Sequence, residues 1–320
     1  MSDHIPVMIE DVMTALEPRD GGLYVDGTFG QGGYTEAILN AAVNKVFGVD
    51  RDPAAITFGA ELSKRYPGRL ELLEGRFGCL ESLMATAGVG AVQGVTLDLG
   101  VSSIQLDEAA RGFSFRFDAP LDMRMGRDGP NAAEIVNNTG ERDLADLIHQ
   151  LGDERQARRI AKAIVLARAE TPILTTYQLA TIVRSIVRKS SNGIDPATRT
   201  FMALRIRVND ELGELSRGLT AAENILAPGG RLAVVSFHSL EDRIVKEFLK
   251  SRSGQGDRSS RHLPAVPGAE RPPSFRLIKR GVYRPSAGEV ARNPRSRSAR
   301  LRVAERTDAP SWASAARQFH

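Results

Sequence analysis

The chain has 320 residues, 42% hydrophobic and 26% charged, the mix of a globular protein with room for one large domain or two modest ones. No apolar run reaches the roughly 18 residues of a membrane span, and the first residues lack the basic-then-apolar pattern of a secretory leader. A single cysteine, Cys79, excludes an internal disulfide or a cysteine-rich zinc site and fits a cytoplasmic setting. The net charge of +4 conceals an asymmetry: residues 251–306 hold 14 Lys/Arg and 4 Asp/Glu, net +10, whereas residues 1–250 hold 28 and 34, net −6. A basic segment on an acidic body predicts a polyanionic partner, nucleic acid first, with a solvated basic tail as the plain alternative.

In chain order, Leu23-Tyr24-Val25 reads as a short strand ending in the glycine-rich turn Asp26–Gly33, with a helix over residues 34–42. Val46–Val49 is a second strand. Pro53 opens a helix through Tyr66, with Asp52 as its N-cap. Leu70–Leu73 and Gly94–Leu99 are the third and fourth strands. Strands alternating with helices predict a parallel sheet built from βαβ units.

The alternation then stops. Residues 141–170 carry apolar positions at helical spacing, as do Leu179, Ile182, Val183, Ile186 and Val187. Asp195-Pro196 starts a long helix with Phe201, Leu204, Val208, Leu212, Leu215 and Leu219 along one side. The α/β pattern resumes after Pro228-Gly229-Gly230 with a fifth strand, Arg231–Phe237, and a helix over Leu240–Lys250, started by Ser239. Residues 251–273 read as a loop or disordered stretch. Phe275–Ile278 and Ala299–Ala304 read as a closing strand pair.

A glycine-rich turn between a first strand and a helix lets a cofactor approach the backbone, and an acid ending the second strand can hold ribose hydroxyls. Asp50 lies 20 residues beyond Gly30 and fits that role. A structural turn beside an acidic cap is the alternative. Dinucleotide binding wants G-x-G-x-x-G with pyrophosphate at the helix start. Here the third glycine is replaced by Thr35. S-adenosylmethionine has no phosphate, and its cationic groups tolerate a carboxylate such as Asp26.

The fourth strand ends in Asp98-Leu99-Gly100-Val101-Ser102-Ser103, followed by the aromatic and basic run Arg111–Met125. With these residues the chain resembles the RsmH (MraW) family of ribosomal RNA cytosine-N4 methyltransferases. The resemblance is carried by HIPVMIEDV, DGTFGQGGYT, VDRDP, LDLGVSS, QLD, RGFSF, PLDMRM, DPATRTF, LAPGGRL, SFHSLEDRIVK and NPRSRSARLRVAER, from His4 to Arg306.

The resemblance implies an α/β fold: a Rossmann-like class I methyltransferase sheet with an inserted, mostly helical domain. Residues 1–105 and 209–306 would form the S-adenosylmethionine-dependent domain, 106–208 the substrate-recognition insertion, and 307–320 a flexible tail. It implies methyl transfer from S-adenosyl-L-methionine to N4 of a cytosine in the decoding region of small-subunit rRNA (cytosine 1402 of 16S rRNA). The partner would be that rRNA or the assembling small subunit, with no membrane; the oligomeric state stays open, a homodimer included. The family's cofactor positions fall on Gly32, Gly33, Tyr34, Asp50, Phe77, Asp98 and Gln105. Tyr34 departs from the family, which often has His there; a backbone contact would survive that change.

Phe77 could flank adenine or pack under the sheet. Cys79 reads as a small buried side chain. The Asn/Asp-Pro-Pro-aromatic motif of many amino-methyltransferases is absent, so Asp98 is expected to contact the cofactor rather than the acceptor amine. His238, at the end of the fifth strand, is the one candidate catalytic side chain, with a helix-start role as its alternative. The run 111–125 could stack a displaced base or pack a domain junction, and Arg155, Arg158, Arg159 and Lys162 could face RNA or solvent. The five His are scattered without ligand spacing, so no metal is expected. Two competing functions are an NAD-dependent oxidoreductase and a non-catalytic RNA-binding or ribosome assembly factor.

Overall fold

Each strand of the sheet sorts its side chains by alternation. Tyr24 and Val46 point to one face and Val25 and Phe47 to the other, so both faces are apolar and both are covered by helices. The computed structural model describes residues 6–102, 105–106, 108–126, 128–188, 193–255 and 271–312. The chain divides into two compact units, Met1–Gly100 with Leu212–His320, and Val101–Glu211.

The first unit opens with α1 (Ile9–Leu16), β1 (Leu23–Asp26), α2 (Gly33–Ala41), β2 (Lys45–Asp50), α3 (Pro53–Arg65), β3 (Leu70–Glu74), a 3-10 turn at Phe77–Cys79, α4 (Leu80–Thr86) and β4 (Val92–Asp98). The Asp52 carboxylate accepts from Ala54 N–H at 3.1 Å and Pro53 holds the first helical position, as the sequence predicts. Cys79 is exposed, not buried as expected, because the 3-10 turn ends at the surface.

The second unit is helical: α5 (Ala132–Asn138), α6 (Glu141–Gly152), α7 (Ala157–Glu170), α8 (Thr176–Ile186) and α9 (Ala197–Asn209). Leu144, Ile148, Ile160, Ile164, Leu179, Val183, Phe201 and Leu204 fill its core. The helical pattern over 141–170 is realised as two helices, α6 and α7, parted after Gly152 at Asp153, and the expected long helix from Asp195 is broken at Asp210. Both residues are left-handed, with φ 50°. Asp tolerates that conformation because its short side chain bonds locally.

Asn209 clamps the Met123–Met125 segment. Its amide donates to the Met123 carbonyl at 2.8 Å and its Oδ1 accepts from Met125 N–H at 2.8 Å. Met123 is itself left-handed, at φ 64°. Asn209→Ala orphans these buried groups and should lower stability by about 3 kcal/mol. Urea unfolding followed by circular dichroism checks this; an unchanged midpoint would contradict it.

The first unit resumes with α10 (Glu211–Ile225), β5 (Leu226–Ser236), α11 (Ser239–Arg252), β6 (Phe275–Leu277), α12 (Ala287–Arg292) and β7 (Arg300–Arg306). The strand order is β3-β2-β1-β4-β5-β7-β6. The first five are parallel; β7 runs antiparallel to β5 and to β6. The chain steps from β1 outward to β3, then returns to add β4 on the other side. This reversal opens a crevice at the carboxyl ends of β1 and β4, where ligands bind in open α/β sheets.

The expected flexible tail over 307–320 is corrected for residues 307–312, which are docked. Thr307 N–H donates to the Ser274 carbonyl at 3.0 Å, and Trp312 N–H to the buried Glu223 carboxylate at 3.0 Å. Residues 313–320, and 256–270 of the expected 251–273 loop, lie outside the described residues. Among the described residues, no helix is long and apolar enough to cross a membrane.

Candidate active site

Three carboxyls crown the reversal point. Asp26 pairs in register with Gly48 of β2 and Thr96 of β4, so Asp50 and Asp98 each stand two residues further along the flanking strands. Asp50 stitches the glycine turn: its Oδ2 accepts from Gly30 N–H and its Oδ1 from Asp52 N–H, both at 2.8 Å. Each oxygen keeps accepting capacity for a ribose hydroxyl. Asp26 accepts from the Thr35 hydroxyl at 2.8 Å and from Thr28 N–H at 3.3 Å. The residue that breaks the dinucleotide pattern therefore holds an acid in place. Thr28 Oγ1 accepts from Asp98 N–H at 2.6 Å, tying the turn to β4.

Burial pushes the Asp26 carboxyl up to about 6, against hydrogen bonds from Thr35 and Thr28, with Asp50 adding to the rise. Burial likewise pushes Asp50 up to about 6, against the Asp52 and Gly30 N–H groups. Asp98 is held well above the usual carboxylate range by burial, then by Asp26 and Glu241. Its Oδ1 is buried with no hydrogen-bond partner. An orphaned buried carboxyl oxygen facing two other acids is costly unless a ligand completes it.

Gly32 caps α2 at φ 74°, and a Cβ there would lie 2.6 Å from Leu62 Cδ2. A Cβ on Gly33 would lie 2.3 Å from Pro6 Cγ. Both glycines let the turn lie flat against the protein. The Tyr34 side chain is turned inward, its hydroxyl donating to the Val7 carbonyl. What Tyr34 offers a ligand is therefore its main chain. The Phe77 ring packs on Gly218 of α10 and the core beneath β4, the packing alternative. Gln105 belongs to the second unit, where its Oε1 accepts from Ser102 N–H at 3.0 Å.

His238 follows β5 as the N-cap of α11, so Ser239 is the first helical residue rather than the cap. Glu241, three residues on, accepts from Phe237 N–H at 2.8 Å and His238 N–H at 3.2 Å. The Nε2 of His238 lies 3.1 Å from Glu241 Oε1, an ion-pair distance when the ring is protonated, and neither ring nitrogen has a hydrogen-bond partner among the described residues. Sequence reasoning missed Glu241 and Thr28. The acid three residues after an N-cap was the available sign for Glu241; Thr28 had none.

In the second unit, Phe113, Met123 and Met125 are buried, Phe115 stacks edge-on against Phe201 with centroids 4.9 Å apart, and Phe117 is exposed. Arg155, Arg158, Arg159 and Lys162 are all exposed on or just before α7, at a spacing that puts them on one face.

Residues 1–307 match the MraW methylase family. The chain belongs to this family. Ribosomal RNA small subunit methyltransferase H of Rhodospirillum centenum is 61% identical over 307 residues, covering 96% of this chain and 93% of that one. The protein of the same name from Rhodospirillum rubrum is 55% identical over 315 residues, covering 98% and 97%. Among solved structures, an rRNA methylase from Streptococcus thermophilus overlaps 96% of this chain and 100% of its own, at 11% identity and TM-score 0.39. As an MraW-family methylase, the protein is a methyltransferase with a Rossmann-like sheet.

Proposed function

We propose that the protein transfers a methyl group from S-adenosyl-L-methionine to N4 of a cytosine in the decoding region of small-subunit rRNA (cytosine 1402 of 16S rRNA). Beside family membership, the observation that carries this reading is the crown of Asp26, Asp50 and Asp98 with its unpartnered Asp98 oxygen. Buried acids favour a cationic sulfonium and ammonium, and they oppose the pyrophosphate of a dinucleotide. Asp50 would accept from the ribose hydroxyls, the main chain at Gly32, Gly33 and Tyr34 would line the methionine side, and Phe77 would border the adenine. Asp98 would receive the cationic end.

When bound, the donor supplies an electrophilic methyl carbon. The protein's work is to align N4 with it and exclude water. N4 is a weak nucleophile because its lone pair is delocalised into the ring, and it must shed a proton as it gains a methyl group. The unsatisfied His238 ring at the end of β5 is placed to accept that proton. The helical unit, with its exposed basic face on α7 and the exposed Phe117, would hold the RNA strand. The substrate places the enzyme in the cytoplasm, acting on rRNA or on the assembling subunit as a monomer or homodimer.

Incubation of small subunits lacking the modification with methyl-labelled donor, followed by nucleoside analysis, tests the reading. Label on N4-methylcytidine is expected. Donor binding without transfer would favour an assembly factor, and NAD binding in its place an oxidoreductase.

A further inference from the structure

A second polar cavity lies within the first unit, on the crevice side of the sheet. It has a volume of about 220 Å³ and is lined by residues 237–239, 284 and 297–300. The topology explains its arginines. β7 starts where β5 ends, with Arg300 paired in register to Ser236. Tyr283 bridges to Leu301 through two backbone hydrogen bonds of 2.9 and 3.0 Å, which sets Arg284 opposite Arg300 across the bridge. The 3-10 turn Pro294–Ser298 brings Arg297 to the same rim. Asp98 lies one strand away, in register with Val235.

The charge of this wall is not neutralised. Asp242 is shared between Arg300 at 2.8 Å and Arg302 at 2.7 Å, so one carboxylate serves two guanidiniums. Arg284 and Arg297 are exposed and make no ion pair among the described residues. The His238 ring is on the same wall, with Nε2 3.1 Å from the Glu241 carboxylate. Planar guanidiniums with free donors around a small concavity match the oxygens of a phosphate.

We propose that this cavity is a phosphate subsite, holding a phosphodiester of the RNA strand beside the nucleotide to be methylated. The inference rests on the rRNA reading above and extends it to Arg284, Arg297 and Arg300. The cavity seats the strand while the cofactor crevice, one strand over, receives the base.

The test uses small subunits lacking the modification as substrate, with wild type, Arg284→Gln/Arg297→Gln, and the control Arg19→Gln, just before β1 and at the amino ends of the parallel strands, away from the crevice. The double variant should raise KM for subunits about tenfold per arginine and flatten the log–log salt dependence of subunit binding by about 0.7 per arginine. Its donor Kd should match wild type, which also shows that it is folded. Arg19→Gln should behave as wild type. A KM and salt slope within twofold of wild type in the double variant would overturn the assignment. So would tight calorimetric binding of inorganic phosphate with no effect on KM, which would make the cavity a free-anion site. A wild-type enzyme that puts no label on these subunits would refute the underlying reading instead.

Discussion

Asp50→Ala should weaken S-adenosylmethionine binding about 100-fold. The carboxylate does two jobs in the structure. It accepts from Gly30 N–H and Asp52 N–H, fixing the shape of the glycine turn, and it keeps lone pairs for the ribose. Removal orphans two N–H groups and deletes the ribose acceptor. Charge-assisted hydrogen bonds of this kind contribute roughly 1.5–3 kcal/mol each, so a net loss of about 3 kcal/mol follows. Asp50→Asn keeps one acceptor and should lose only about tenfold. Isothermal calorimetry reads both. A purely structural Asp50 would show a lower melting temperature for Asp50→Ala with donor affinity within a few-fold of wild type.

His238→Ala should lower kcat about 100-fold at saturating subunits while leaving donor affinity within twofold. A general base contributes roughly 10²–10⁴ in rate, and neither ring nitrogen of His238 has a hydrogen-bond partner among the described residues. The start of the helix should survive, because Glu241 still accepts from the Phe237 and His238 N–H groups just ahead of α11. Single-turnover transfer at high subunit concentration separates the chemical step from any loss of RNA affinity through the neighbouring arginine wall. Full single-turnover activity would remove His238 from the mechanism.

Strands β1–β4 were legible because each is short, apolar and bounded by turn residues, and Asp52-Pro53 marks a helix start without ambiguity, whereas β5 begins at Leu226, ahead of the Pro228-Gly229-Gly230 that reads as a turn. The closing β6–β7 pair was legible for the same reason as β1–β4. α1 escaped notice although Ile9, Val12, Met13 and Leu16 repeat at helical spacing, since eight residues between turns carry little periodic signal. The break at Asp210 was invisible for a different cause. Leu204, Val208, Leu212 and Leu215 keep a helical period across it, and an aspartate reads equally well as a solvent-facing helical residue. The docking of residues 307–312 depends on Glu223, about 90 residues away, and on Arg252 stacking over Trp312 at 4.8 Å. No local pattern encodes such a contact.

At the site, the acids were legible as positions but not as a charge state. Asp26, Asp50 and Asp98 are far apart in sequence, and only the parallel register of β1, β2 and β4 makes them neighbours. The inward turn of Tyr34 was likewise hidden, because its hydroxyl partner is the main chain at Val7 rather than a side chain with a recognisable motif.

That charge state gives the account its sharpest consequence. Asp26 and Asp50 titrate at about 6 in the free protein, raised from an ordinary 3.8. A raised carboxyl pKa stabilises the fold fully only below the unfolded value, and this contribution is lost as pH climbs through about 6. A bound cation reverses the preference by favouring the ionised acids. Calorimetry of S-adenosylmethionine binding between pH 5 and 7.5, in buffers of different ionisation enthalpy, measures this directly. Affinity should rise with pH, up to tenfold per unit for each acid still protonated, with protons released on binding near pH 6. S-adenosylhomocysteine, which lacks the sulfonium charge, should show a weaker dependence. An affinity that is flat, or that rises toward pH 5 with proton uptake, would contradict a cation held by these three acids.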